Sequence, residues 1–155
     1  MVRTVNVNAD IPANRDPAFY DLGLCGPMRK DYEGTSAYCG LFKTPTLRNT
    51  ATRKAFFHNG VFHSLEEVMH FYVERETEPA KWYPKLPDGT VDRYNDIPPK
   101  FRASIDIVDA PFDSKPGDAP ALNDAEIPDL IAFLKALTDG YQPDQPTASA
   151  ATASH

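Results

Sequence analysis

Fifteen prolines are scattered through this 155-residue chain, and they limit its fold more than any other feature. Proline fixes φ and has no N–H to donate, so it suits turns and first helical turns and breaks helix interiors. Such a chain is expected to be loop-rich, with short helices joined by long ordered connections. Its length suits one domain able to bury a core without staples.

Two stretches carry a helical period. In "SLEEVMHFYVER", Ser64 can cap the first turn and Glu67, three residues on, completes a capping box. Leu65, Val68, Met69, Tyr72 and Val73 then fall on one face, which predicts an amphipathic helix ending near Arg75 to Thr77 with that face buried. Glu66, Glu67, His70 and Glu74 are expected on the other side. In "LNDAEIPDLIAFLKALTDGY", Asn123 and Glu126 form the same box, Ile127, Leu130, Ile131, Leu134 and Leu137 form the buried stripe, and Gly140 stops the helix. Pro128 is tolerable there only because it lies in the first turns.

Between the helices, residues 77–121 read as one long proline-rich connection with a hairpin-like "PDGT" turn and at most one short helix, from "PPKFRASI". Trp82, Tyr83, Tyr94 and Phe112 are expected to tack it onto the domain. A connection this long is usually functional or wraps something bulky. Residues 1–40 read as extended loop, and the low-complexity segment 142–155 as a disordered tail.

A net charge of −6 and the lack of any Lys/Arg run argue against nucleic acid as a partner, because phosphate binding needs concentrated positive charge. No apolar run approaches the roughly 18 residues of a membrane span. The first residues, "MVRTVNVNADIPANRD", lack the apolar segment of a signal peptide. Expressed as written, the chain is expected in the cytoplasm; a chain that begins inside a longer secreted protein would read the same way.

Three histidines crowd "FFHNGVFHSLEEVMHFY", each with a plain structural explanation. His58 lies in a turn, His63 precedes the Ser64 cap, and His70 falls on the polar side of its helix. No His-Glu-x-x-His pair is present and no carboxylate base accompanies them, so a mononuclear hydrolase has little support. Met69 and Tyr72 lie on the predicted buried face and are ordinarily core there. A buried tyrosine hydroxyl needs a partner, however, and a haem iron is one such partner. The two cysteines, Cys25 and Cys39, are too far apart for a Cys-x-x-Cys pair and too few for a zinc site. In an oxidising compartment they would close a small disulfide loop; otherwise they are two free or buried thiols.

"FKTPTLRN", "FHNG", "SLEEVMHFY" and "LNDAEIPDLIAFLKALT" stand in this order. Together they resemble the C-terminal haem domain of bacterial di-haem cytochrome c peroxidases, and more closely the MauG-like branch. The resemblance runs over about residues 9–141 and implies a mostly α, loop-rich, cytochrome c-like domain, with residues 1–141 as a partial C-terminal haem domain. It puts Tyr72 at the axial position of a haem iron, where the peroxidases carry methionine and MauG-like proteins tyrosine. It also implies Arg48 as a propionate contact, with a structural salt bridge as its alternative, and Phe42, Phe56, Phe57, Leu65 and Val68 as an apolar wall. The family's inter-haem calcium would take the backbone carbonyls of Arg53 and Ala55, in an all-oxygen shell.

One element of the family is missing. Covalent haem c needs Cys-x-x-Cys-His, yet Cys25 is followed by "GPMRK" and Cys39 by "GLFKT". The chain therefore reads as the half of a haem domain that keeps the Tyr72 side, with an N-terminal haem-bearing portion as its expected partner. The family activity is haem-dependent electron transfer coupled to hydrogen peroxide reduction or to oxidation of a partner protein, in the periplasm, with a small electron-donor protein or a protein substrate. The chain alone is expected to carry no covalent haem and to be inactive. The rival reading is a haem-free helical scaffold in which Tyr72 is packed core.

Overall fold

The structure, a computed structural model, describes residues 16, 18–26, 29, 31, 32 and 34–140. The expected tail at 142–155 lies outside the described residues. Regular structure among them is sparse: three α-helices, α1 (Leu65–Glu74), α2 (Pro79–Trp82) and α3 (Ile127–Ala136), and short 3-10 turns at Ser36–Tyr38, Thr50–Thr52 and Pro99–Ser104. The only β structure described is a set of isolated bridges. The helix read at "PPKFRASI" is thus a 3-10 turn, and α2, one turn started by Pro79, is an element the sequence pattern did not predict.

Helix α1 begins at the expected capping box. The Ser64 hydroxyl accepts from Glu67 N at 3.1 Å, and the Glu67 carboxylate accepts from the backbone of Ser64 and His63. Just before it, "FFHNGVF" doubles back: Phe56 N donates to Phe62 O at 2.9 Å, and both phenylalanines turn inward. The reversal puts Phe57 at φ 63, a conformation that costs a non-glycine residue roughly 1–2 kcal/mol. The cost is offset by packing, since Phe57 lies edge-on to Phe62 and Phe71 at 5.3 and 5.4 Å. Phe56, Phe62, Val68 and Phe71 form the core cluster, covered by Val61, Leu65, Met69 and Trp82.

Helix α3 packs against α1 and the Thr50–Thr52 turn. The reciprocal bonds of its box are present, Asn123 Oδ1 accepting from Ala125 and Glu126 N and Glu126 accepting from Asn123 N. They close a turn that precedes the regular helix, which starts only at Ile127 with Pro128 in its first turn. The predicted stripe is only partly buried: Ile127 and Leu134 are enclosed, while Leu130, Ile131 and Leu137 are half covered and neighbouring Phe133 is 55% exposed.

A disulfide joins Cys25 to Cys39. Beside it Gly23 bridges both Cys39 and Leu41. Gly23 has φ 60, and a Cβ there would strike the Leu41 carbonyl, so the crossing requires glycine. The long connection then wraps the C-terminal end of α1. Its "PDGT" segment closes a tight turn through Leu86 N to Thr90 O, with Lys85 bridged to Val91, and Tyr83 and Ile97 are buried beneath it.

Candidate functional site

Tyr72 is not where helical periodicity alone puts it. Phe71 is the ring enclosed in the core, 3% exposed, and Tyr72 is 38% exposed. The physical reason lies in the next turn. The inward face of α1 runs from Val68 through Phe71 to Glu74 and Arg75, and Glu74, Arg75, Glu76 and Thr77 are all buried. A buried face that ends in charged residues is invisible to a pattern read from apolarity.

The burial of those charges is compensated. The Glu76 carboxylate accepts from Arg75 Nε at 2.6 Å, from the Tyr94 hydroxyl at 2.8 Å, and pairs with Arg93. Arg75 also donates to the Asp106 carbonyl and lies over the Phe112 ring, 3.7 Å from its centroid. Glu74 pairs with His70 Nδ1 at 2.9 Å and with Lys81. His70, expected on a solvated face, is therefore partly buried and held by its contact with Glu74.

Around Tyr72 the rings form a frame. Phe112 stacks on it at 5.5 Å and 29°, Phe57 tilts against it at 5.8 Å, and Phe71 stands edge-on at 6.4 Å. The Tyr72 hydroxyl has no hydrogen-bond partner among the described residues. Burial of the ring pushes the phenol up from its ordinary pKa, while the Arg75 charge pulls it down in part. Tyr72 thus offers one phenol oxygen from a part-exposed ring held among aromatic neighbours.

The histidines do not converge. His58 stacks on Phe42 at 4.1 Å, and desolvation lowers its pKa against the opposing pull of Asp21 and Asp96. His63 Nδ1 lies 3.0 Å from Lys54 O. Arg48 pairs with Asp139 at 2.6 Å, the salt-bridge alternative to a propionate contact. Arg53 and Ala55 lie exposed on the approach to Phe56. No group of three or more His, Cys, Asp or Glu is placed to hold a metal among the described residues, so no carboxylate set supports a calcium there.

No protein-family model matches the chain. Over 111 residues, 69% of this chain and 25% of the relative, it is 29% identical to the methylamine utilization protein MauG of Paracoccus denitrificans. It superposes on the crystal structure of the diheme peroxidase BthA from Burkholderia thailandensis with a TM-score of 0.69 and 41% identity, covering 88% of this chain and 32% of that one. Against a variant of BthA with a tyrosine replaced by methionine the TM-score is 0.73 and the identity 37%, over 95% of this chain and 34% of that one. By sequence and fold, the chain is similar to part of the MauG-like di-haem peroxidases. It spans a quarter to a third of the length of these relatives.

The di-haem peroxidase relatives imply haem, and the residues present fit one side of such a group. Tyr72, framed by Phe57 and Phe112, would be the residue to hold its iron, through a phenol oxygen. The expected wall divides, however. Phe56 and Val68 face the protein's own core, Phe57 and Leu65 are partly covered, and Phe42 is exposed against His58. Covalent attachment does not fit this chain, because both of its cysteines are spent on each other in the disulfide. No helix among the described residues is long and apolar enough to cross a membrane.

Proposed function

We propose that this chain forms the tyrosine-side part of a cytochrome c-like haem domain in a MauG-like di-haem peroxidase. The haem would be attached through a Cys-x-x-Cys-His motif that these 155 residues do not contain. The observation that carries the reading is Tyr72: an oxygen donor without a hydrogen-bond partner, held in an aromatic frame on a chain 41% identical over its match to a diheme peroxidase. The haem, when bound, supplies one-electron chemistry coupled to hydrogen peroxide reduction or to oxidation of a partner protein. Tyr72 would hold the iron, and an anionic oxygen ligand there would favour ferric iron and lower the potential relative to methionine. Phe57, Phe112 and Leu65 exclude water from that side.

The Cys25–Cys39 disulfide supports an oxidising compartment, which for a protein of this family is the periplasm. One observation favours the rival, a haem-free scaffold: Phe56, Phe62, Val68 and Phe71 pack on one another and on Phe57, Val61, Leu65, Met69 and Trp82 as a core of side chains. Co-expression with a haem-bearing N-terminal portion separates the two readings. Association, with a Soret band that shifts on Tyr72→Phe, is the expected result. A Soret band indifferent to that substitution would favour the scaffold.

A further inference from the structure

Residues 106–118 cross the C-terminal end of α1 as a strap fixed at both ends. At one end the Arg75 guanidinium donates to Asp106 O. At the other, Gly117 N donates at 3.1 Å to the carbonyl of Thr77, a buried residue. Between them the strap is shaped by its own turns: Asp106 Oδ1 accepts from Val108 and Asp109 N, and Phe112 N donates to Asp109 O at 2.7 Å. These bonds leave Phe112 little freedom, and its ring meets two side chains of α1, stacking on Tyr72 and lying under the Arg75 guanidinium.

Arg75 is itself immobilised. Glu76 holds its Nε, and Tyr94 and Arg93 hold Glu76. A buried charged network costs desolvation that a hydrophobic cluster would avoid, so its effect on a neighbouring side chain is worth seeking.

We infer that Phe112 and Arg75 are positioning residues for Tyr72: the strap, pinned by Arg75, sets the direction in which the phenol oxygen leaves the surface. The inference rests on the reading of Tyr72 as an axial donor and deepens it. A tyrosine ring on an exposed helix face has two soft torsions. Stacking against a fixed partner removes that freedom before any ligand arrives, which is where preorganisation gains affinity. The long proline-rich connection then orients the donor from outside the helix that carries it.

The test uses the full chain with carbon-13-labelled tyrosine rings, the Tyr72 signal being assigned by Tyr72→Phe. Phe112→Leu keeps the volume apolar and removes the stack, so the Tyr72 ring resonances lose their upfield ring-current shift while those of Tyr83 stay in place. Phe112→Trp restores an upfield shift. Arg75→Met moves Tyr72 in the same direction as Phe112→Leu, and Tyr94 moves with it because it shares Glu76. A Tyr72 signal unmoved by Phe112→Leu overturns the inference, as does an Arg75→Met variant that disturbs Tyr94 alone. Should Arg75→Met unfold, seen as collapse of all tyrosine signals, Arg75→Lys replaces it and must shift Tyr72 in the same direction. The Soret comparison with Tyr72→Phe tests the underlying reading separately. A Tyr72 that follows Phe112 beside an indifferent Soret band makes Phe112 a packing residue and overturns its positioning role.

Discussion

Asn49 and Asp139 hold each other across 90 residues of chain: Asn49 Nδ2 donates to Asp139 Oδ2 at 2.9 Å, and Asp139 N donates back to Asn49 Oδ1 at 2.8 Å. Arg48 adds two bonds to Asp139 Oδ1, and Asn49 N donates to Leu137 O. Asn49 sits at φ 60, a left-handed conformation that asparagine tolerates better than most residues. "TLRN" and "LTDG" are thereby two halves of one clip, fastening the Thr50–Thr52 turn to the end of α3.

The clip should weaken in acid. The side-chain donors Arg48 and Asn49 hold the Asp139 carboxyl below its ordinary pKa. A depressed carboxylate pKa contributes stability above the unfolded value, and that stability is lost as pH falls through the folded value. The melting temperature of Asp139→Ala should lie slightly below the parent at pH 7, with the gap narrowing below about pH 4. A gap that is constant with pH would assign the effect to something other than the charge. Exposure of the pair keeps the effect small, and salt should reduce it further.

Phe71 and Tyr72 should separate cleanly in stability. Phe71 is enclosed by Phe57, Phe62 and Trp82, so Phe71→Ala should cost about 3–5 kcal/mol by urea unfolding. Tyr72→Phe removes only a hydroxyl without a described partner and should change stability by less than about 0.5 kcal/mol. A large loss from Tyr72→Phe would make that hydroxyl structural, against its role as a free donor.

These two residues also mark what a sequence can reveal about this fold. The capping boxes at Ser64–Glu67 and Asn123–Glu126 were legible because each depends on a local spacing that tertiary packing does not alter. The face of α1 was not, because its inward stripe ends in Glu74 and Arg75, whose burial depends on partners as far along the chain as Asp106 and Phe112. Position 72 was legible as a candidate ligand through family resemblance, while its frame was not: Phe112 reaches it from 40 residues further along the chain by a path set in loops. Phe112 is legible as an anchor of the connection, but nothing local in "DAPFDSKPG" says that the residue it meets is Tyr72. A compensated charge cluster beside the resemblance block is the one signal that could have pointed to it, in the run Glu74, Arg75, Glu76.

The Glu76 network should behave as a unit. Glu76→Ala leaves the Arg75 and Arg93 guanidinium groups without their shared carboxylate, and breaking a buried pair by removing one partner costs about 3–5 kcal/mol. Tyr94→Phe removes the hydroxyl that donates to the same carboxylate and should cost about 1.5–3 kcal/mol, the scale of a hydrogen bond to a charged group. In the double variant the two losses should fall short of additivity by at least about 0.5 kcal/mol, as expected for residues sharing one partner. Full additivity in guanidinium unfolding would mean that Tyr94 acts independently of Glu76.

The disulfide gives the last expectation. Cys25 and Cys39 are 14 positions apart, and closing a loop of that length constrains the unfolded chain by about 3 kcal/mol in the entropy model. The loop is tied to the rest through Gly40, whose missing Cβ leaves room for Ile97, and through the Ser36–Tyr38 turn, which packs on the Pro99–Ser104 turn. Reduction should therefore loosen the connection as well as the loop. Cys25→Ser with Cys39→Ser should lower the urea midpoint, and dithiothreitol should bring the parent to the same value while leaving the variant unchanged. If dithiothreitol leaves the parent's midpoint in place, the bond contributes nothing to the fold, and its support for an oxidising compartment goes with it.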